Sequence, residues 1–263
     1  MTTNDPGPGP VRATLHLDGR RLSYLDHGGP GRVLLALHGH FAEGRTFTAL
    51  ARALGPRHRV VAPDQRGHGH SDPAADYSRE GYVADVAALL DHLGLRTVDL
   101  LGHSLGGVNA YQFAARHPER VRALVVEDIG AEVDGDLSFC LDWPRRAPTR
   151  AALLARLGGS APYLADAIRE QPDGGWGLAF RPEDMVASQH ALNGGHWADW
   201  LAGEGPALLV RGSRSGVLGA EHAREMAARR PGARLVELPA GHTVHATDPA
   251  GFAAVVRDFL GAE

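Results

Sequence analysis

Short apolar runs alternate along this chain with stretches of helical spacing. The first pattern has period two: Ala13-Thr14-Leu15-His16-Leu17 meets Asp18-Gly19 and then Leu22-Ser23-Tyr24-Leu25. Asp-Gly between two such runs predicts a β-hairpin. Continuous apolar runs follow at Arg32–Leu37, His58–Ala62, Thr97–Leu101, Val121–Val126, Ala207–Val210 and Ala233–Leu238. A strand that is apolar on both sides is covered on both faces, so these runs predict a mostly parallel sheet. Between them, Tyr82, Val83, Val86, Leu89, Leu90 and Leu93 recur at three and four residues, and Phe252, Val255, Val256, Phe259 and Leu260 do the same near the end. Alternating strand and helix is the α/β pattern, and open parallel sheets carry their chemistry at the carboxyl ends of the strands.

One interval breaks this rhythm. Roughly 75 residues separate the runs that end near Gly130 and begin near Gly205, far more than a simple crossover needs. All four tryptophans, Trp143, Trp176, Trp197 and Trp200, lie in it. The expected organisation is a core of residues 11–130 and 205–263 with a helical cap, 131–204, inserted between them. The tryptophans either fasten the cap to the core or line a pocket beneath it. Residues 1–10, rich in Gly and Pro, are expected to form a disordered lead. They show neither the basic start nor the apolar run of a secretory signal, and no run approaches the ~18 residues of a membrane span. A cytoplasmic location is the resulting expectation.

Composition removes several function classes. A net charge of -4 offers no basic surface to a nucleic acid or an anionic membrane. The chain has no lysine, so chemistry that needs an amine, such as a Schiff base or a P-loop lysine, is excluded. Cys140 is the only cysteine, which excludes an intrachain disulfide and a cysteine-based zinc site. A chain of 263 residues can bury a core without either.

The chemistry concentrates at two places. Gly102-His103-Ser104-Leu105-Gly106 follows a predicted buried strand and opens a predicted helix. In that context Gly-x-Ser-x-Gly is a nucleophile elbow: a turn too tight for side chains two residues either side of the serine, which lifts the hydroxyl above the sheet. A serine hydroxyl needs a base. Leu238-Pro239-Ala240-Gly241-His242 follows the last strand and supplies His242, with His245 read as a structural or pocket histidine. The pairs His38/His40 and His68/His70 have a spacing that strand geometry could turn into metal ligands, but their Gly-rich surroundings are better explained as loops under a site, and no metal is expected.

With these residues in view, the sequence resembles the α/β-hydrolase superfamily from about residue 11 to 261. The motifs match in order: His38-Gly39, Asp64-Gln65-Arg66-Gly67-His68-Gly69-His70-Ser71, the elbow at Ser104, and Gly241-His242. The resemblance implies an α/β-hydrolase fold, a mostly parallel sheet flanked by helices with an inserted cap. It also implies an oxyanion hole of two backbone amides, at Leu105 and at His40, with Phe41 as the alternative to His40. In most relatives the triad acid follows the strand before the last. Here that segment reads Arg211-Gly212-Ser213-Arg214-Ser215-Gly216 and has no carboxylate. The preceding strand ends in Glu127-Asp128, as in a branch that includes small esterases, and strands lie only ~4.8 Å apart. Asp128 is therefore the expected acid and Glu127 the alternative. Candidate pocket residues are Phe41, His103, Trp143 and Trp197. The expected enzyme is a serine hydrolase that needs no cofactor and cleaves a small or medium carboxylic ester, thioester or lactone. C–C bond hydrolysis, cofactor-free perhydrolysis and a ligand receptor with little turnover are the alternatives.

Overall fold

The computed structural model describes residues 9–261; most of the expected disordered lead lies outside them. Eight strands form the main sheet: β1 (Val11–Leu17), β2 (Arg20–Asp26), β3 (Arg32–Leu37), β4 (His58–Pro63), β5 (Val98–His103), β6 (Val121–Glu127), β7 (Ala207–Gly212) and β8 (Ala233–Leu238). Their order is β1-β2-β4-β3-β5-β6-β7-β8. β1 and β2 pair in register around a two-residue turn in which Asp18 (φ 50°) and Gly19 (φ 78°) are both left-handed. β2 joins β4 antiparallel, and from β4 to β8 every pairing is parallel.

The continuous apolar strands are covered on both faces. Leu35, Leu37, Leu100, Leu124, Val126 and Leu209 face one layer of the core with α2 (Arg79–His92) and α3 (Leu105–Arg116). Leu34, Ala36, Val60, Leu101, Val125 and Val210 face the other, with α1 (Thr48–Leu54) and the C-terminal helix Pro249–Leu260. Ser78 caps α2 by accepting from the Gly81 amide, 3.1 Å away, which satisfies one of the first-turn donors.

Residues 131–204 form the interposed segment, and they are less helical than the spacing suggested. Beside three helices, α4 (Arg150–Leu157), α5 (Pro182–Leu192) and α6 (Trp197–Ala202), the segment holds a small antiparallel sheet of Arg146–Ala147, Trp176–Leu178 and Ile168–Glu170. The turn of its hairpin carries Pro172-Asp173-Gly174-Gly175, with Gly174 and Gly175 left-handed, so a strand signal was present in the sequence. The segment has its own apolar cluster around Cys140, Leu153, Leu157, Ile168, Phe180 and Met185. Burial among these groups pushes the Cys140 thiol up to about 11. Among the described residues, no helix is long and apolar enough to cross a membrane.

Candidate active site

The carboxyl ends of β5, β6 and β7 are held side by side. The Ser104 amide donates to the Glu127 carbonyl at 3.0 Å, and the Asp128 amide donates to the Val210 carbonyl at 2.8 Å. Ser104 stands between the end of β5 and the start of α3 in a left-handed conformation, φ 53° and ψ -121°. The turn closes because Gly102 and Gly106 lack side chains. A Cβ on Gly102 would stand 2.1 Å from the Gly106 carbonyl oxygen, and one on Gly106 would stand 2.2 Å from that of Leu37. Strain of this kind at a single polar residue is characteristic of a functional position.

Asp128 follows β6 and is also left-handed, φ 52°. Its carboxylate is fully buried and fully engaged. Oδ1 accepts from the Gly212 amide at 2.8 Å, and Oδ2 accepts from the Ser215 hydroxyl and from Nδ1 of His242, the latter at 2.8 Å. The loop carrying His242 reaches this point by folding back over the end of β7. A Cβ on Gly212 would stand 2.1 Å from the Gly241 carbonyl oxygen, so the close approach needs a glycine there. The His242 side chain remains 32% exposed while its acid has no exposure at all, so the imidazole edge opposite Nδ1 is open to a reactant.

Glu127 engages a different imidazole. Both of its oxygens meet Nδ1 of His245, at 2.9 and 2.8 Å, and Oε1 also accepts from the His245 amide at 2.9 Å. The far nitrogen of His245 meets the Thr46 hydroxyl at 2.7 Å. Burial pushes the Glu127 carboxyl up, but His245 and then His103 outweigh it and hold it below the ordinary glutamate range. Two acid–imidazole pairs therefore stand next to each other: Asp128–His242 partly open to solvent, and Glu127–His245 closed beneath it. Adjacent residues serve both because β6 ends between them and the left-handed turn at Asp128 redirects its side chain.

His103 lies under the His242 loop. Its Nε2–H donates to the His242 carbonyl at 3.1 Å, and the two rings are 4.6 Å apart. It is a buried strut of that loop rather than a lining residue of an open pocket. Burial pushes its imidazole down to about 3, and burial beside His38 does the same to His68. The sign of the resulting pH dependence is fixed. Between about pH 6.5 and 3 the unfolded chain takes up protons on these two rings and the folded chain does not. Stability should therefore fall with pH from about 6.5 downward, by about 1.4 kcal/mol per pH unit for each ring. Denaturant unfolding at pH 7.5, 6.0 and 5.0 checks this; equal stability at all three would contradict it.

The loop after β3 faces the serine. A Cβ on Gly39 would stand 2.8 Å from Nδ1 of His103 and 3.0 Å from Cβ of Ser104. His40 and Phe41 follow, Phe41 with φ 65°. Leu105 is the first residue of α3, so its N–H has no acceptor within the helix. Side chains from the interposed segment hold this loop. The His40 Nε2 meets the Ser188 hydroxyl at 2.9 Å, Ser188 meets the Tyr82 hydroxyl at 2.8 Å, and Arg169 pairs with Glu43. Burial, followed by the nearby charges of His68 and Arg79, pushes the His40 imidazole well below its ordinary value.

Phe41 packs on Trp143 and Phe180, with ring centroids 5.0 and 5.2 Å away, and the half-exposed Phe139 borders the group at 6.2 Å. Trp197 stands apart from this group. Its ring carries Arg229 at 3.9 Å and His222 at 5.3 Å, and its Nε1–H donates to Glu132 at 2.9 Å. It fastens the interposed segment to the core, as does Trp200, which is buried against Tyr111 and Arg230. The sequence gave no warning of Ser215, Ser188 or Thr46, since a lone hydroxyl has no local signature. The segment after β7 did lack a carboxylate, and the structure puts hydrogen-bond donors in its place.

A family model described as the alpha/beta hydrolase fold matches residues 27–175. The chain belongs to the α/β hydrolase family. A 3-hydroxybutyrate-oligomer hydrolase of Cupriavidus necator is 33% identical to it, over 92% of this chain and 94% of the relative. A 2-(acetamidomethylene)succinate hydrolase of Mesorhizobium japonicum is 30% identical, over 89% of this chain and 90% of its own. Among solved structures, that of an E-2-(acetamidomethylene)succinate hydrolase superposes with a TM-score of 0.86 at 25% identity, covering 96% of this chain and 99% of the other. This α/β hydrolase is thus an enzyme whose named relatives break bonds with water.

Proposed function

We propose that the enzyme is a serine hydrolase that cleaves a small or medium carboxylic ester, thioester or lactone through an acyl-enzyme on Ser104. The observation that carries this reading is the 2.8 Å contact between His242 Nδ1 and a buried Asp128 carboxylate beside the strained serine. A carboxylate at Nδ1 fixes the proton there and leaves Nε2 with its lone pair. Nε2 then takes the Ser104 proton as Oγ bonds to the acyl carbon. The oxyanion accepts hydrogen bonds from the amides of Leu105 and His40, which together contribute several kcal/mol to the transition state. When the bond to the leaving oxygen or sulfur breaks, His242 returns the proton to it. Water, deprotonated by the same ring, attacks the acyl carbon and releases the acid and Ser104.

We read the interposed segment as a cap over this centre. The aromatic group of Phe41, Trp143 and Phe180 would receive an apolar part of the substrate. The 3-hydroxybutyrate-oligomer and 2-(acetamidomethylene)succinate hydrolases agree with a compact substrate, though the two names describe different molecules.

A fluorophosphonate probe followed by peptide mass mapping tests the assignment. One equivalent should be incorporated, on the peptide that contains Ser104. Labelling at another residue, or none in enzyme that turns over an ester, would remove the serine from its role.

A further inference from the structure

Most arginines of this chain that are drawn into the interior have a partner for their charge. Arg66 meets Asp85 at 2.9 Å and two backbone carbonyls. Arg230, buried without a carboxylate, donates to the carbonyls of Trp200 and Gly205 at 3.0 and 3.1 Å. Arg79, the first residue of α2, differs. It is only 7% exposed, and its one hydrogen bond runs from Nη1 to the Asn109 side-chain oxygen at 2.6 Å. Its guanidinium lies over the Tyr82 ring at 4.6 Å. Nε and Nη2 are buried and have no partner among the described residues.

Those two atoms form the edge that grips carboxylates elsewhere in the same molecule. Arg59 holds both oxygens of Asp26 with Nε and Nη2, and Arg21 holds Asp72 with the same pair. Such a fork makes two parallel charge-assisted bonds to a carboxylate. Leaving it empty and buried costs several kcal/mol of desolvation. The charged and titratable groups facing Arg79 are Tyr82, Tyr111, Arg66 and Glu80. Arg66 is already matched by Asp85, and Glu80 is exposed and pairs with Arg116 at 3.5 Å.

The empty fork is connected to the candidate active site. Asn109 donates to Gln65 at 2.6 Å, and Gln65 donates to the His38 carbonyl at 2.5 Å and from its amide to His38 Nε2 at 2.9 Å. His38 precedes the glycine that lies against Ser104. On the other side, the Tyr82 hydroxyl and His40 share Ser188. Arg79 is near enough for its charge to be felt at His40, whose own backbone amide is the proposed oxyanion donor.

We propose that Arg79 receives a free carboxylate carried by the substrate, so that the enzyme acts on esters, thioesters or lactones that bear a second, unreacting carboxylate. This rests on the reading of Ser104 as the nucleophile, and the test keeps the two apart. The kinetic arm compares the p-nitrophenyl half-ester of glutaric acid with the p-nitrophenyl ester of glutaramic acid, which replaces the free carboxylate by a neutral amide of the same shape. A second pair places the group on the alcohol side: the acetate esters of 4-hydroxybutanoate and of 4-hydroxybutanamide. In wild type, at least one pair should favour the carboxylate in kcat/KM by about 10- to 100-fold, the range for a hydrogen-bonded charge. Arg79→Met should bring that ratio close to one. Should Arg79→Met fail to fold, Arg79→Lys, which keeps the charge and loses the fork, should lower the same ratio.

The binding arm needs no turnover. Glutarate should raise the unfolding temperature of the Ser104→Ala protein and glutaramide should not, and the difference should vanish when Arg79 is also replaced. No preference in either substrate pair, or a preference that survives in a folded Arg79 variant, would overturn the proposal. Ester cleavage through Ser104 without discrimination would sink Arg79 alone. An Arg79-dependent glutarate shift in a protein that does not use Ser104 would sink the serine reading alone.

Discussion

Ser104→Ala should lower kcat for ester hydrolysis on the order of 10⁴- to 10⁶-fold, the scale seen when the nucleophile of a comparable triad is removed. A 10⁶-fold loss corresponds to about 8 kcal/mol of transition-state stabilisation. The size follows from the arrangement. The hydroxyl is the only atom of the site that bonds to the acyl carbon, and His242 with Asp128 has no other oxygen to activate except water. What survives is the contribution of the oxyanion amides and of binding, which the substitution leaves in place. Alanine keeps the left-handed φ of 53° without removing a core contact, so the variant should unfold close to wild type and the loss can be assigned to chemistry. Steady-state kinetics with p-nitrophenyl butyrate, beside thermal unfolding of both proteins, measures this. Residual activity above a few per cent of wild type in a folded variant would mean that the reaction runs through another group.

Asp128→Asn should be the next largest effect, lowering kcat about 10⁴-fold. The substitution keeps the shape, and the side-chain oxygen can still accept from the Gly212 amide. The amide nitrogen then faces His242 Nδ1 and donates to it, where the carboxylate accepted. That moves the ring proton to Nε2, so the nitrogen meant to receive the serine proton is already occupied. Glu127→Gln is the matched control. It weakens the buried pair with His245 and should cost stability, about 3 kcal/mol, while lowering kcat far less than Asp128→Asn. Parallel measurement of kcat and denaturant midpoints for the two variants decides the matter. A larger loss of kcat from Glu127→Gln than from Asp128→Asn would move the acid one residue back along the chain.

Much of this architecture can be read before folding. The Asp18-Gly19 turn, the apolar strands and the helical repeats of α2 and the C-terminal helix each carry a local signal. All of them stand where the spacing puts them, within a residue or two at their ends. The elbow is legible for the same reason: its glycines are required by contacts within a few residues and with the neighbouring strand. The interposed segment was harder to read. Its length and tryptophans marked it as an insertion, but its short strands are too brief for periodicity to register. The pairing of Trp197 with Arg229 and His222, instead of with Phe41 and Trp143, joins residues that are far apart in the chain.

The sequence by itself determined the fold class, the strained serine and the short list of histidines and acids, because each depends on neighbours in the chain or on one repeating interval. The tertiary structure decided which acid meets which histidine, and that Ser215 and the Gly212 amide share the carboxylate. It also left the Arg79 fork empty. These outcomes depend on distances between strand ends and loops separated by dozens to more than a hundred residues. Such distances are set by packing over the whole sheet, and no local pattern encodes them.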